Sequence, residues 1–366
     1  MRERAKSIKG PRRKRVTQWL ALVLGASVFA GLGWLWSIVG AGFERDRLAL
    51  GGPVAAPEAS RSAQRAFYSG HSLSDHVPEG VAAIAEQFGG TLSFDVQSLV
   101  GSTVAERLLP ANLDALGLPG HGYDFFVVTE RHDLPYLLRH EDTVPNLERL
   151  HERVRAGSPN AQTLLYHVWL EIDVNAPERF IQYERDALVL WECTASAVNR
   201  RLQRAGRTER MRVLPGATAL AALVERVTQG GLPELPGAST RERVQALFED
   251  QVHPSALGRY FMSLVHYAAL FGQSAVGAPA PSGIPAALGQ SLQELAWEHV
   301  SAYRTRAAAA AQRDLDDCSE YARAVMCPVF AAHRREGEPV SAPRRWKERF
   351  TCQWDFAGSA PANPFR

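Results

Sequence analysis

Cysteine is scarce in this chain: there are four, and no two stand in a C-x-x-C pair. With no histidine pair at ligand spacing nearby, that argues against a structural zinc site, whose ligands cluster at short intervals. No metal and no cofactor are expected. Repeats are missing too, which excludes a solenoid. A strong overall charge is also lacking. The formal net charge is +2, and it hides a local excess. Residues 1–15 hold eight Lys/Arg and one Glu, a net of +7, which leaves −5 for the remainder. The basic balance is therefore one terminal block and gives no reason to expect a nucleic-acid partner.

Charge disappears directly after that block. From Val16 through Ile38, Val39 and Gly40 no residue is charged. A helix of about 20 residues spans the hydrocarbon core of a bilayer. We read residues 1–15 as a basic cytoplasmic tail and 16–40 as a transmembrane signal anchor. The positive flank stays inside, so the bulk of the chain lies outside the cytoplasm, periplasmic in a bacterial cell. Trp34 and Trp36 fall near the far interface, where indoles are enriched. A cleaved signal peptide is the rival reading. The apolar run is long for one, and Gly40-Ala41-Gly42-Phe43-Glu44 makes a poor cleavage site.

Residues 41–62 contain Gly51-Gly52-Pro53 and Ala55-Ala56-Pro57 and read as a linker. The 366-residue chain has room for one large domain or two small ones. We place the main domain at 63–275 and a helical, cysteine-bearing extension at 276–366. Strands are expected at Ala66–Ser69, Thr91–Val96, Tyr123–Thr129, Thr163–Leu170 and Met211–Leu214. Several are nearly continuous apolar runs, as in parallel strands covered on both faces. Helical patterns lie between them at Pro78–Phe88, Val144–Arg155, Pro177–Arg204 and Ala217–Thr228, with Pro78 and Pro177 suited to first turns. Alternation of this kind implies a three-layer α/β fold with a parallel sheet of about five strands. Further helices are expected at Pro254–Phe271, with His253 as its cap, and at Leu288–Arg313. Tyr260 and Tyr267 fall at core spacing. Outside the cytoplasm the four cysteines have three full pairings. One bridge is expected within the tail, where Cys318, Cys327 and Cys352 crowd, with Cys193 as a buried thiol.

Two stretches could carry chemistry together. In Gly70-His71-Ser72-Leu73 an apolar run enters a glycine, and a serine follows just before a helical pattern. Such a turn exposes a hydroxyl beside backbone N–H groups able to hold an oxyanion. In Asp250-Gln251-Val252-His253-Pro254 an aspartate three residues before a histidine can orient its imidazole. Each motif has a bland reading, an ordinary turn or a helix-capping loop. Their order is informative: one follows the first strand, the other the last, and both fall at the C-terminal edge of a parallel sheet, where such folds place their sites.

These two blocks resemble those of the SGNH (GDSL-type) hydrolases over roughly residues 63–272, with His71 where that family usually has aspartate. The resemblance implies a flavodoxin-like three-layer fold and ester cleavage by a Ser72–His253–Asp250 triad. It implies an oxyanion hole at the Ser72 amide and Gly101. The family's third donor is an asparagine after the third strand, and this chain has Thr129-Glu130-Arg131-His132-Asp133 there. Glu130 stands nearest that position, and a carboxylate cannot simply replace an amide. Arg131 or His132 could donate instead. His71, Glu130, His132 and Trp169 are further pocket candidates. His167 and Trp169 end the fourth strand, and the plainer reading has them packed beneath a crossover helix. The mixed charges from Arg131 to Asp142 read as a solvated loop before a metal site.

The sequence therefore predicts a membrane-anchored, extracytoplasmic serine esterase or deacylase. Its expected partners are the membrane, through the N-terminal helix, and an ester substrate such as O-acylated envelope carbohydrate. The alternative is a binding or assembly module of the envelope that keeps the fold with an impaired site. A lipid-directed esterase is a third reading, suggested by the anchor alone.

Overall fold

The computed structural model describes residues 63–114, 122–309, 313–333 and 341–366 of the chain. The expected basic tail, membrane anchor and linker lie outside them. No helix among the described residues is long and apolar enough to cross a membrane.

The five expected strands are all present: β1 (Ala63–Gly70), β2 (Thr91–Ser98), β3 (Phe125–Val128), β4 (Gln162–Tyr166) and β5 (Met211–Leu214). They form one sheet in the order β2-β1-β3-β4-β5, and every pairing is parallel. This is the flavodoxin-like order, whose crevice lies beyond the strand ends where the order reverses, here between β1 and β3. β3 is buried at all four positions, as its uninterrupted Phe-Phe-Val-Val requires of a strand covered on both faces.

β4 ends four residues before the apolar pattern does. His167 N–H still reaches Leu214 O at 3.0 Å, but His167 O then accepts from Ala217 N at 2.8 Å. The ladder is thus handed to the turn after β5. Val168, Trp169 and Leu170 continue as buried loop. Apolarity there reflects burial and not strand pairing.

Helices cover the sheet at Val77–Gln87, Thr143–Gly157, Pro177–Arg204, Gly216–Thr228 and Ala256–Phe271. Pro78 and Pro177 occupy first turns. Tyr260 and Tyr267 are buried, as their spacing suggested. The helix after the Asp250–His253 block starts later than expected. Its cap is Ser255, whose Oγ accepts from Gly258 N at 3.3 Å, and not His253. Pro254 instead forms an antiparallel bridge with Phe248. A serine hydroxyl satisfies an orphan N–H, which frees the histidine ring for other contacts.

The Ala286–Ala309 helix and the tail share the same apolar core as the sheet. Cys193 is not a free thiol. It lies in the Pro177–Arg204 helix and is bonded to Cys318, and the second bridge joins Cys327 to Cys352. The reason is tertiary. The tail crosses that helix, with Tyr321 Oη donating to Asp186 O at 3.0 Å and Arg313 Nε to Glu192 Oε2 at 2.8 Å, so Cys318 arrives beside Cys193. The expected bridge within the tail is the Cys327–Cys352 one.

Candidate active site

β1 delivers Ser72 to the C-terminal edge of the sheet. Gly70 O accepts from Leu99 N at 3.2 Å, and Ser69 O from Thr129 N at 3.1 Å, so the strand end is held from both sides. The chain then turns tightly. Ser74 N and Ser74 Oγ both donate to His71 O, at 2.8 and 2.7 Å. Leu73 and Val77 are buried on the far side, which leaves Ser72 half-exposed at the apex. Gly70 is needed here for room: a Cβ would lie 2.1 Å from Ser74 Oγ and 3.2 Å from Thr129 Cγ2. A larger residue would push the Ser74 hydroxyl off the carbonyl that closes the turn.

His253 Nε2 lies 3.0 Å from Ser72 Oγ, and His253 Nδ1 lies 2.7 Å from Asp250 Oδ2. The carboxylate can only accept, so Nδ1 carries a proton toward it and Nε2 is left to accept from the serine hydroxyl. Asp250 Oδ1 also accepts from Val252 N and His253 N, each at 2.7 Å. Partial burial works against ionisation of this carboxyl. The hydrogen bonds from the His253 amide and ring and the Val252 amide overcome it and hold the pKa at about 2. The ring therefore has a fixed anion behind it and a hydroxyl in front.

Two hydrogen bonds from the loop after β4 hold the Asp250–His253 loop. Trp169 Nε1 donates to Val252 O at 2.8 Å, and Ile172 N donates to Gln251 O at 2.8 Å. Trp169 is wholly buried, so its place is behind the histidine and not in a substrate pocket. His167 is buried as well, with Nε2 3.3 Å from Glu184 Oε2 and its ring against Trp191. It packs beneath the Pro177–Arg204 crossover helix.

The remaining sequence candidates separate in the same way. His71 is buried and binds the turn together: Nδ1 accepts from Leu73 N at 3.4 Å and Nε2 faces Glu130 O at 3.3 Å. Burial, reinforced by the nearby Arg107 cation, lowers its pKa to about 3 and keeps the ring neutral. It does not line a pocket. Glu130 is also buried. Its Oε1 accepts from Val104 N and Arg131 N at 3.0 and 2.9 Å, and burial pushes its carboxyl pKa up. It organises the loops behind the site. His132 is partly exposed, with Nε2 3.8 Å from Glu171 Oε1, and the Arg131 guanidinium is engaged by Asp133.

Gly101 adopts φ +65° in a turn closed by Ser102 N donating to Leu99 O at 3.1 Å, a position that favours glycine. It lies two residues past the Leu99–Gly70 hydrogen bond, at the same sheet edge as Ser72. The amides of Ser72 and Gly101 donate to no protein group among the described residues.

Sequence reasoning missed Arg107, which is wholly buried beneath these turns. Its Nε donates to Ser69 Oγ at 3.0 Å, Nη1 to Ser102 O and Oγ at 3.0 Å each, and Nη2 to Thr129 O. One guanidinium therefore ties the ends of β1 and β3 to the loop after β2. Desolvation lowers its pKa to about 10, against the pull of Glu130, so it stays charged at neutral pH. The only available signal was an arginine in the short Val104–Arg107 helix, beside Glu106, a pattern common to solvated helices.

A cleft of about 170 Å³ opens beside the pair, lined by Ser72 and His253 together with Leu73, His76, Arg259 and Met262 among others. Among the described residues no group of three or more His, Cys, Asp or Glu could hold a metal ion.

No family model and no curated protein matches the chain. Among solved structures it is similar to a DUF4886 family protein from Bacteroides uniformis, at 15% identity, over 68% of this chain and 98% of that one, with a TM-score of 0.47. A protein described as a GDSL-like lipase from Parabacteroides merdae aligns at 14% identity over 60% of this chain and 99% of that one, with a TM-score of 0.36. A phospholipase A1 from Streptomyces albidoflavus aligns at 15% identity over 54% of this chain and 94% of that one, with a TM-score of 0.32.

Proposed function

We propose that this chain is a serine ester hydrolase in which Ser72 is the nucleophile, His253 the general base and acid, and Asp250 the residue that orients and balances the imidazolium. The observation that carries the reading is the unbroken line from Asp250 Oδ2 through His253 to Ser72 Oγ, at 2.7 and 3.0 Å. An imidazole with a carboxylate behind it and a hydroxyl within hydrogen-bond reach is the arrangement nucleophilic acyl transfer needs.

In the first step Ser72 Oγ bonds to the acyl carbon as its proton passes to His253 Nε2. The carbonyl oxygen becomes an oxyanion that the unengaged amides of Ser72 and Gly101 are suited to receive. The C–O bond to the alcohol then breaks, and the proton on Nε2 goes to the departing alkoxide. Water repeats the sequence in reverse on the acyl-serine, giving a carboxylic acid and restoring the hydroxyl. Glu130 does not take the place of the absent asparagine: it is buried and turned to backbone amides. Two amide donors are therefore what the site offers.

The substrate proposal rests on the cleft and on the expected location. A space of about 170 Å³ suits a short acyl group better than a long lipid chain. We read the uncharged run after the basic terminus as an anchor, which would hold the domain at the outer face of a cell membrane. Short O-acyl groups on envelope carbohydrate fit both. Purified wild-type protein should be labelled by a fluorophosphonate probe, hydrolyse p-nitrophenyl acetate, and release acetate from an O-acetylated polysaccharide. Ser72→Ala should lose all three. A folded wild-type protein that neither labels nor hydrolyses would instead favour a binding or assembly module.

A further inference from the structure

The Ala342–Asp355 helix carries three large aromatic side chains that touch little of the protein. Trp346 is 74% exposed, Phe350 61% and Trp354 67%. They recur every fourth residue, so at about 100° per residue they form one continuous stripe along the helix. The same geometry puts Cys352 on roughly the opposite face. There the Cys327–Cys352 bridge and an ion pair from Arg139 to Asp355 at 2.5 Å fasten the helix to the body. The stripe therefore points away from the protein, and its scaffold is fixed before any partner arrives.

The charge around the stripe is basic. Arg344, Arg345, Lys347 and Arg349 lie on this helix against Glu348 and Asp355. Asp355 is spent on Arg139, and Glu348 lies 3.5 Å from Arg344. By helical geometry Lys347 and Arg349 flank the aromatic stripe on its two sides. This contrasts with the rest of the chain beyond residue 15, which is net acidic. A short helix with Trp and Phe on one face, edged by Lys and Arg, has the chemistry of a segment lying in the plane of a membrane interface. Indoles prefer the headgroup level, and cations beside them are drawn to anionic lipid.

We propose that the Ala342–Asp355 helix is a docking surface for an anionic phospholipid bilayer, with Trp346, Phe350 and Trp354 entering the interface and Lys347 and Arg349 meeting lipid phosphates. The occupant is chosen by charge complementarity and by the type of residue exposed. A protein groove for a helix takes aliphatic anchors as readily, whereas two tryptophans with flanking cations match a headgroup layer. Docking at this end would fix the orientation of the domain on a membrane, a separate matter from its ester chemistry.

The test uses the full chain reconstituted in lipid nanodiscs. One set contains phosphatidylcholine alone and a second about 30% phosphatidylglycerol, enough for a strongly negative surface. Hydroxyl-radical footprinting with mass spectrometry reads oxidation at residues 346, 350 and 354. Oxidation should fall severalfold in the anionic discs relative to the neutral ones, and high salt should reverse the fall. The double variant Lys347→Glu, Arg349→Glu should abolish the difference between the two disc types while its thermal unfolding midpoint is unchanged. Equal oxidation in the two disc types would overturn the proposal. Equal and low values would mean that another part of the chain or a second copy covers the stripe, and equal and high values that nothing does.

Discussion

Trp169 Nε1 donates to Val252 O at 2.8 Å, so an indole anchored after β4 sets the height of the loop that presents His253 to Ser72. Trp169 is wholly buried, so its expected contribution to turnover is one of position. Trp169→Phe keeps the apolar bulk and removes the N–H. Turnover on p-nitrophenyl acetate should drop about tenfold with KM nearly unchanged, because a small displacement of a general base acts on the transition state. A matching rise in KM would place the indole in the substrate site instead.

Asp250→Asn tests the other side of the imidazole. The amide cannot accept at both oxygens, and it offers an N–H to Nδ1, which favours the wrong tautomer. A loss in kcat on the order of 10³- to 10⁴-fold is expected, as for an orienting carboxylate in this role. Fluorophosphonate labelling should slow in parallel, while the far-UV circular dichroism stays that of the parent.

Arg107→Met removes the cation that joins three strand-end segments and leaves Ser69 Oγ, Ser102 O and Thr129 O without it. Each buried acceptor left unsatisfied in this way costs about 1–3 kcal/mol, and the loss is to be read from urea unfolding. Arg107→Lys should recover little, since an ammonium lacks the planar fork that spans these acceptors.

His266 lies wholly buried against Tyr68 and Tyr166, and desolvation lowers its pKa from 6.5 to about 3. The unfolded chain therefore binds this proton between pH 6.5 and about 3 while the folded chain does not. Stability from a neutral buried imidazole is complete above the unfolded value and is lost as pH falls through that window. At pH 5 one such group gives up about 2 kcal/mol. His266→Phe should flatten the decline of the thermal midpoint between pH 7.5 and 5, whereas an unchanged slope would mean that His266 does not titrate on unfolding.

What could be read from the sequence followed from local signals. Each strand was marked by Phe, Tyr, Val or Leu, several by a nearly continuous apolar run, and the long crossover helix was bounded by Pro177 and Arg204 as in the structure. The pairing of Ser72 with Asp250 and His253 could be anticipated because strand order alone sends both blocks to one sheet edge. Contacts that depend on how loops lie over each other were invisible. Trp169 ended an apolar run and resembled a pocket residue, Arg107 had no motif, and Cys193 met Cys318 only because the tail folds back over its helix. His253 was misplaced as a helix cap for a simpler reason: Pro254 suggested a first turn, while Ser255 one residue later was the better hydrogen-bond acceptor for one.

The Cys193–Cys318 bridge encloses β5, the Ala256–Phe271 and Ala286–Ala309 helices and everything else between residues 193 and 318 in one covalent ring. A protease that cuts once anywhere inside that ring leaves a molecule of undiminished mass. Two fragments part on a gel only after a reductant is added. The tail is thus fastened to the Pro177–Arg204 helix even when the backbone between them is severed, and limited proteolysis of this protein should be read in paired lanes, reduced beside unreduced.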